Sequence, residues 1–272
     1  VAHIDLGRLD QALSHIGVPG LQAAHQQQVT QQIDVAVSGL GVYAEVAVVP
    51  AYAVVKRPKG LNAIEAAAVW MAYITAYGAL IDIAHVGKGD AVVIPAASSS
   101  VGLAAIQIVN SVGGVSIAMT RTSAKAAALK AAGAAHVVAT EEQDLVATIN
   151  TITNGKGARV VFDPVGGPDV EKLAAAMAPG GTLFLYGLLS LQPTPFPFRP
   201  ALLKGLSVRG YTLFEIVSDM ARRDAAISFI THGLETGTLK PVIAKTFPFD
   251  QIVEAHRYLE SNVQFGKIVV TV

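Results

Sequence analysis

The stretch Asp90-Ala-Val-Val-Ile-Pro-Ala-Ala-Ser-Ser-Ser-Val-Gly102 runs from apolar residues into a turn of small ones and then straight into a helical pattern. A strand–turn–helix of this kind suits a dinucleotide pyrophosphate. The first small residue permits the bend, the second lets backbone N–H groups reach the phosphates, and the third lets the helix pack on its strand. Those three positions read Ala97, Ser99 and Gly102. Only the last is glycine, but Ala and Ser add little bulk. The hydroxyls of Ser98, Ser99 and Ser100 can bond phosphate oxygens, and Val101 and Gly102 complete the candidate loop. Taken by itself, the segment is equally an ordinary βα turn of a parallel sheet.

About 20 residues beyond such a turn, an NAD-type site presents Asp or Glu to the ribose 2′-hydroxyl. Here that place reads Thr120-Arg-Thr-Ser-Ala-Lys125, with no carboxylate in it. Thr122 and Ser123 can donate to a phosphate, and Arg121 and Lys125 can offset its charge. The expected pocket takes a 2′-phosphate, so NADPH is favoured over NADH. The plain alternative is a solvated first helical turn that happens to be basic.

Other chemistries are bounded by composition. The chain has no cysteine, which removes disulfides, thiol nucleophiles and thiolate metal sites together. Its seven histidines are scattered, none paired at a metal-ligand spacing, so no metal is expected. Formal net charge is +0, leaving no global footprint for nucleic acid or an anionic membrane. Hydrophobic residues make up 52% and charged residues 15%, the balance of a folded chain that can bury a core. Residues 66–81 are the most apolar, but they are short for a span and contain Tyr73, Thr75, Tyr77 and Gly78; they read as a buried helix. The opening Val-Ala-His-Ile-Asp-Leu lacks the basic region and long apolar core of a signal peptide. Tyr52-Ala-Val-Val-Lys56 fits Tyr-x-x-x-Lys, but it precedes the nucleotide turn and reads as a strand. Asp163 ends an apolar strand and reads as a loop or cap carboxylate.

These residues need a scaffold, and from Asp90 onward the pattern supplies one. Strands are expected at 91–95, 115–120, 136–139, 159–162, 182–186 and 207–211, with helices at 101–112, 123–132, 141–153 and 168–177. Short apolar runs alternating with helices, without hairpins, predict an α/β doubly wound parallel sheet of Rossmann type. Gly113-Gly114, Gly133, Gly155 and Gly180-Gly181 stand where helices should stop, and Ser123 stands where one should be capped. Short strands at 43–49, 53–56 and 268–272 point to a second, smaller β-rich domain built from both chain ends. The expected division is 1–65 with 238–272, and 66–237. Residues 22–32 hold six glutamines, and residues 191–200 form a proline-rich loop.

In this order the blocks resemble the medium-chain dehydrogenase/reductase superfamily, in its zinc-free quinone oxidoreductase branch. Gly41-Val-Tyr-Ala-Glu-Val-Ala-Val-Val-Pro50 is similar to a family strand, and Trp70–Leu80 to the helix that joins the two domains. Residues 96–102 fall on the phosphate loop, and residues 155–167 and 265–272 match two further blocks. The resemblance implies a GroES-like second domain and NADPH as cofactor. It also implies Thr75 near the nicotinamide ribose, and Gly166, Gly187, Phe265, Gly266 and Lys267 along the cofactor. For Thr75 a bond back to its own helix competes with that role. Each glycine serves equally as a turn residue, and Lys267 equally as a surface lysine. The chain departs from the pattern at Gly7, where the family has Asn, and at Ala12, where an aromatic is frequent. Residues 16–37 are shorter than the family's barrel strands, so the GroES-like part reads as incomplete.

The resemblance implies hydride transfer from NADPH to a quinone or an α,β-unsaturated carbonyl, in a cytoplasmic homodimer without a membrane or nucleic-acid partner. A protein that binds NADPH without turnover is the alternative. No catalytic acid is assigned.

Overall fold

The computed structural model describes Ile33–Val35, Ala44, Val49 and Ala53–Val272. Gly7, Ala12, the six glutamines, residues 41–43, Pro50 and Tyr52 lie outside the described residues. Two compact units form. One takes the described residues up to Trp70 together with Ile243–Val272, and the other is Met71–Val242.

The larger unit contains a six-stranded parallel sheet. In chain order the elements that matter begin with β1 (Ile33–Val35) and β2 (Val54–Lys56) of the smaller unit, then α1 (Ala63–Ala67) and α2 (Trp70–Tyr77). The sheet unit follows with β3 (Ala91–Ile94), α3 (Ser100–Ser111), β4 (Val115–Thr120), α4 (Ala126–Ala131), β5 (His136–Ala139), α5 (Leu145–Ile152), β6 (Ala158–Asp163), α6 (Val170–Ala175) and β7 (Met177–Leu185). It continues with α7 (Phe198–Lys204), β8 (Ser207–Gly210), α8 (Phe214–Val217) and α9 (Met220–Glu235). The smaller unit resumes with β9 (Ile243–Pro248), α10 (Ile252–Glu260) and β10 (Lys267–Thr271).

The sheet order is β5-β4-β3-β6-β7-β8, every neighbouring pair parallel. The central strands β3 and β6 are largely apolar and buried, as strands covered by helices on both faces must be. On one face Leu145, Ile149, Val170 and Leu173 of α5 and α6 pack against Val93, Ile117, Val138, Val161 and Leu183. Side chains alternate along a strand, so Val92, Ile94, Phe162 and Phe184 turn to the opposite face, where they too are fully buried. Each such side chain contributes roughly 1.5–3 kcal/mol by leaving water.

In the smaller unit, β1 pairs antiparallel with β2, and β9 runs parallel to β10 with Phe247, Ala255 and Val270 as a small core.

Several boundaries differ from the sequence expectation. Gly180-Gly181 does not end a helix. It lies inside β7, which is longer than its apolar core because the β6–β7 register shifts between Ala158 and Val160. The proline-rich loop ends in α7, with Pro197 at its N-cap and Pro200 in its first turn, where a missing N–H costs nothing. Ser123 is not a helix N-cap: the chain enters α4 through a 3-10 turn, Ser123–Lys125, whose cap residue is Thr122. The apolar segment 66–81 is not one helix. It is the end of α1, all of α2, and part of a π-helical turn, Gly78–Ile83. Among the described residues no helix is long and apolar enough to cross a membrane.

Polar clips tie the helices of this unit together. Gln107 of α3 accepts at Oε1 from the Tyr73 hydroxyl (2.9 Å) and from Lys240 N–H (2.8 Å). Its Nε2 donates to the Lys240 carbonyl at 2.9 Å. Arg222 of α9 donates from Nε and Nη2 to Asp82 Oδ2. Replacing Gln107 by Leu keeps the volume but strands the buried Tyr73 hydroxyl and two main-chain groups. We expect Gln107→Leu to lose about 1–3 kcal/mol, read as a lower urea midpoint with unchanged m-value. An unchanged midpoint would mean that solvent replaces the clip.

Candidate functional site

The strand order reverses direction between β3 and β6, the point at which the exit loops of an open α/β sheet diverge. Ligands of open α/β sheets sit at that switch point. The exits of β3, β4 and β6 carry most of the residues singled out from the sequence.

The β3 exit is the small-residue turn. Ala97 is fully buried, and Ala96 carries the bend in a left-handed conformation, φ 48°. Ser99 is the N-cap of α3, its Oγ accepting from Gly102 N–H at 3.0 Å. Ser99 N–H is spent on the Ala96 carbonyl at 2.9 Å. The N–H groups of Ser100 and Val101, in the first turn of α3, have no intrahelical acceptor by position and are the donors an anion would meet. Gly102 is where helix and turn touch: a Cβ there would stand 2.7 Å from Ala97 Cα and from the Ala97 carbonyl oxygen. The turn therefore meets the packing demand of a Gly-x-Gly-x-x-Gly loop with one glycine, because the backbone contact falls at its third position.

The β4 exit carries the charged cluster. Lys125 Nζ donates to Ser98 Oγ at 3.2 Å, bringing the basic turn and the phosphate turn together across 27 residues. Burial, and then the neighbouring Arg121, hold the Lys125 ammonium below the ordinary lysine value. Arg121, Thr122 and Ser123 are exposed beside it, after Thr120 at the end of β4.

The absence of a carboxylate here, as read from the sequence, does not hold in three dimensions. Glu142 Oε1 accepts from Ser123 N–H at 2.9 Å and from Ser123 Oγ at 3.2 Å. The register explains it. Thr120 is level with Ala139 on β5, so the residues after β5 run alongside the residues after β4. Thr140 N–H donates to the Thr120 carbonyl and Glu141 N–H to the Arg121 carbonyl, each at 2.9 Å. Glu142 comes next. A count of strand register from the two apolar runs was the signal that could have found it.

The β6 exit is a turn built on Asp163, which is fully buried. Its Oδ1 accepts from Val165 N–H at 2.8 Å and its Oδ2 from Gly166 N–H at 3.1 Å. Burial pushes the Asp163 carboxyl above its ordinary value, against the pull of those two bonds. Gly166 adopts φ 69°, and a Cβ there would meet Thr194 Oγ1 at 2.8 Å. Gly187 is equally confined: its Cβ would lie 2.5 Å from the Pro164 carbonyl oxygen. Residues 189–194 lie along this turn, through Leu189 N–H to Pro164 O (3.1 Å), Ser190 N–H to Val165 O (2.9 Å) and Gly167 N–H to Thr194 Oγ1 (2.8 Å). Phe162 and Tyr186 stack beneath it, centroids 3.9 Å apart.

Thr75 is buried in α2, and its hydroxyl donates to the Met71 carbonyl at 2.5 Å, the bond back to its own helix. Phe265, Gly266 and Lys267 lie in the smaller unit at the start of β10, Gly266 with φ 103°. The larger unit alone therefore brings together Ser98–Gly102 with Lys125, and Lys125 with Arg121 and Ser123.

A family model described as zinc-binding dehydrogenase matches residues 100–231. The chain is 29% identical over 247 residues to the synaptic vesicle membrane protein VAT-1 homolog of Danio rerio, covering 85% of this chain and 51% of that protein. It is 31% identical over 234 residues to the quinone oxidoreductase of Pongo abelii, covering 85% of this chain and 69% of the relative. The chain thus spans between half and about two thirds of these relatives. In structure it resembles the Escherichia coli quinone oxidoreductase complexed with NADPH, at TM-score 0.82 and 26% identity, over 89% of this chain and 75% of that one. The chain has no cysteine, and among the described residues no three His, Asp or Glu gather to hold a metal.

The Asp163 turn yields a signed prediction. A raised acid is held more tightly protonated in the folded chain. Its stabilising contribution is therefore fully present below the ordinary carboxylate value and is lost as pH rises through the raised one. Asp163→Asn removes that titration. The stability of the wild type relative to the variant, from urea midpoints, should fall as pH rises above the ordinary carboxylate value of about 4. A difference that stays constant would mean the carboxyl keeps its ordinary value.

Proposed function

The chain belongs to the medium-chain dehydrogenase/reductase superfamily, and on that premise we propose that it is an oxidoreductase passing hydride from NADPH to a quinone or to the β-carbon of an α,β-unsaturated carbonyl. The observation that carries this reading is the meeting of the β3 and β4 exits, beside the switch point. The β3 turn, closed on Gly102, meets the basic β4 turn through Lys125 and Ser98. The E. coli quinone oxidoreductase, similar in fold, is a complex with NADPH, which supports the same cofactor here.

In this reading the chain's own groups have separable tasks. The Ser100 and Val101 N–H groups, at the positive end of α3, take the pyrophosphate with the Ser98 and Ser100 hydroxyls. Gly102 keeps the turn close to the helix. Thr120, Arg121, Thr122, Ser123 and Lys125 form the 2′-phosphate end. Gly166 and Gly187, each without room for a Cβ, shape the wall toward the nicotinamide. Thr75 is positioned by α2, and Phe265, Gly266 and Lys267 keep the cofactor-binding role that the family resemblance gives them. NADPH when bound supplies the hydride; the protein supplies position and exclusion of water. The accompanying proton is drawn from solvent.

We assign the Rossmann domain to 66–237 and a GroES-like domain to 1–65 with 238–272. We also place the protein in the cytoplasm as a homodimer pairing through the edge strand β8.

The test is titration with NADPH, followed by its nicotinamide fluorescence, and then a panel of quinones and enones. Lys125→Ala should weaken NADPH binding at least about tenfold while changing NADH binding little, the loss of one charge-assisted bond. Equal loss for both nucleotides would take Lys125 off the 2′-phosphate. Tight binding with no turnover on any acceptor would leave a cofactor-binding protein in place of a reductase.

A further inference from the structure

The pocket at the end of β4 contains an anion of its own. Glu142 Oε1 occupies both donors of Ser123, the N–H and the hydroxyl, at 2.9 and 3.2 Å. Its place is fixed by main chain: the two residues before it are bonded to the carbonyls of Thr120 and Arg121. The carboxylate is exposed, so it can rotate off Ser123 while its backbone stays put.

The inference rests on the nucleotide-binding reading above. A 2′-phosphate seated beside Lys125 and Arg121 needs the Ser123 donors, and two anions cannot share them. A ribose 2′-hydroxyl has the opposite requirement. It is neutral and carries a proton to donate, and a carboxylate at this end of the sheet is its ordinary acceptor. Glu142 therefore acts against one nucleotide and for the other. We propose that Glu142 is the specificity-determining residue of the cofactor site: on Ser123 it receives the 2′-hydroxyl of NADH, and NADPH binds only by displacing it. The carboxylate of an NAD-type site is here supplied by the neighbouring strand's exit. The chain thus combines cationic residues for the phosphate with an acceptor for the hydroxyl.

The experiment is a fluorescence titration of the full chain with NADPH and with NADH, in the wild type, Glu142→Gln and Ser123→Ala. Far-UV circular dichroism checks the fold of each. Glu142→Gln should tighten NADPH about fivefold to tenfold and weaken NADH by a few fold, moving their ratio more than tenfold. Ser123→Ala removes the shared hydroxyl and should weaken NADPH without helping NADH. Adenosine 2′-monophosphate, competing against NADPH, carries the phosphate but no nicotinamide. Its own affinity should rise in Glu142→Gln by the factor seen for NADPH. An NADPH-to-NADH ratio unmoved within twofold, with both nucleotides still bound, would overturn the role of Glu142 and leave the oxidoreductase reading standing. Binding of neither nucleotide by the folded wild type or any variant would overturn both.

Discussion

The pairing of β3 with β4 on one side and β6 on the other is the constraint on which the rest depends. A parallel strand hydrogen-bonded on both edges has no freedom to tilt or slip, and a one-residue slip would expose its whole core face. Val92, Val93 and Ile94 are fully buried, so the register is enforced from both faces of the sheet as well. With β3 fixed, the places of its exit and of the β4 and β6 exits are fixed too. The separation of the phosphate turn from the charged turn follows from strand spacing, and Lys125 spans it.

The three exits differ in what holds them. The β3 turn is held by packing: Ala97 is buried, and the Gly102 backbone presses on it. The β6 turn is held by polar bonds from a buried carboxylate, and the segment after β7 is laid on it by main-chain hydrogen bonds. The β4 exit is held by its neighbour, the chain leaving β5. The first resists substitution at Gly102 because backbone lies where a side chain would go, and the second at Gly166 because of its positive φ and the Thr194 side chain against it. The third leaves its side chains exposed, so its chemistry can vary without disturbing the sheet.

Much of this was legible in the sequence wherever apolar runs carried the information. Runs such as Ala91–Ile94 and Val115–Thr120, short and bounded by turn residues, read as strands covered on both faces, and their alternation with helices leaves few topologies. The phosphate turn was legible from residue size, although its regular expression fails. What escaped was whatever depends on a neighbour distant in sequence. Gly180-Gly181 looks like punctuation until β6 pairs with β7 and makes it part of a bulged strand. Ser123 has the composition of a cap, but its hydroxyl goes to Glu142 on another loop. Glu142 is not legible along the chain from β4, because the sheet delivers it sideways from β5. Thr75 shows the converse: its bond to its own helix carbonyl is legible locally.

The position of β3 also bears on how the chain reaches this state. β3 is central in the sheet but is made early, and Val92 pairs with Val160, which emerges only after α3, β4, α4, β5 and α5. On a ribosome, the β3–β4–β5 half can assemble first, with the far edge of β3 open and lined by unpaired main-chain groups. Such an edge is apolar on both sides and invites pairing with another nascent chain until β6 arrives. Long-range parallel pairing is also slow to form, because the loop must close before any contact rewards it. The interval between synthesis of Ile94 and of Asp163 is thus the period in which this edge stands unpaired, and it is set by topology rather than by final stability.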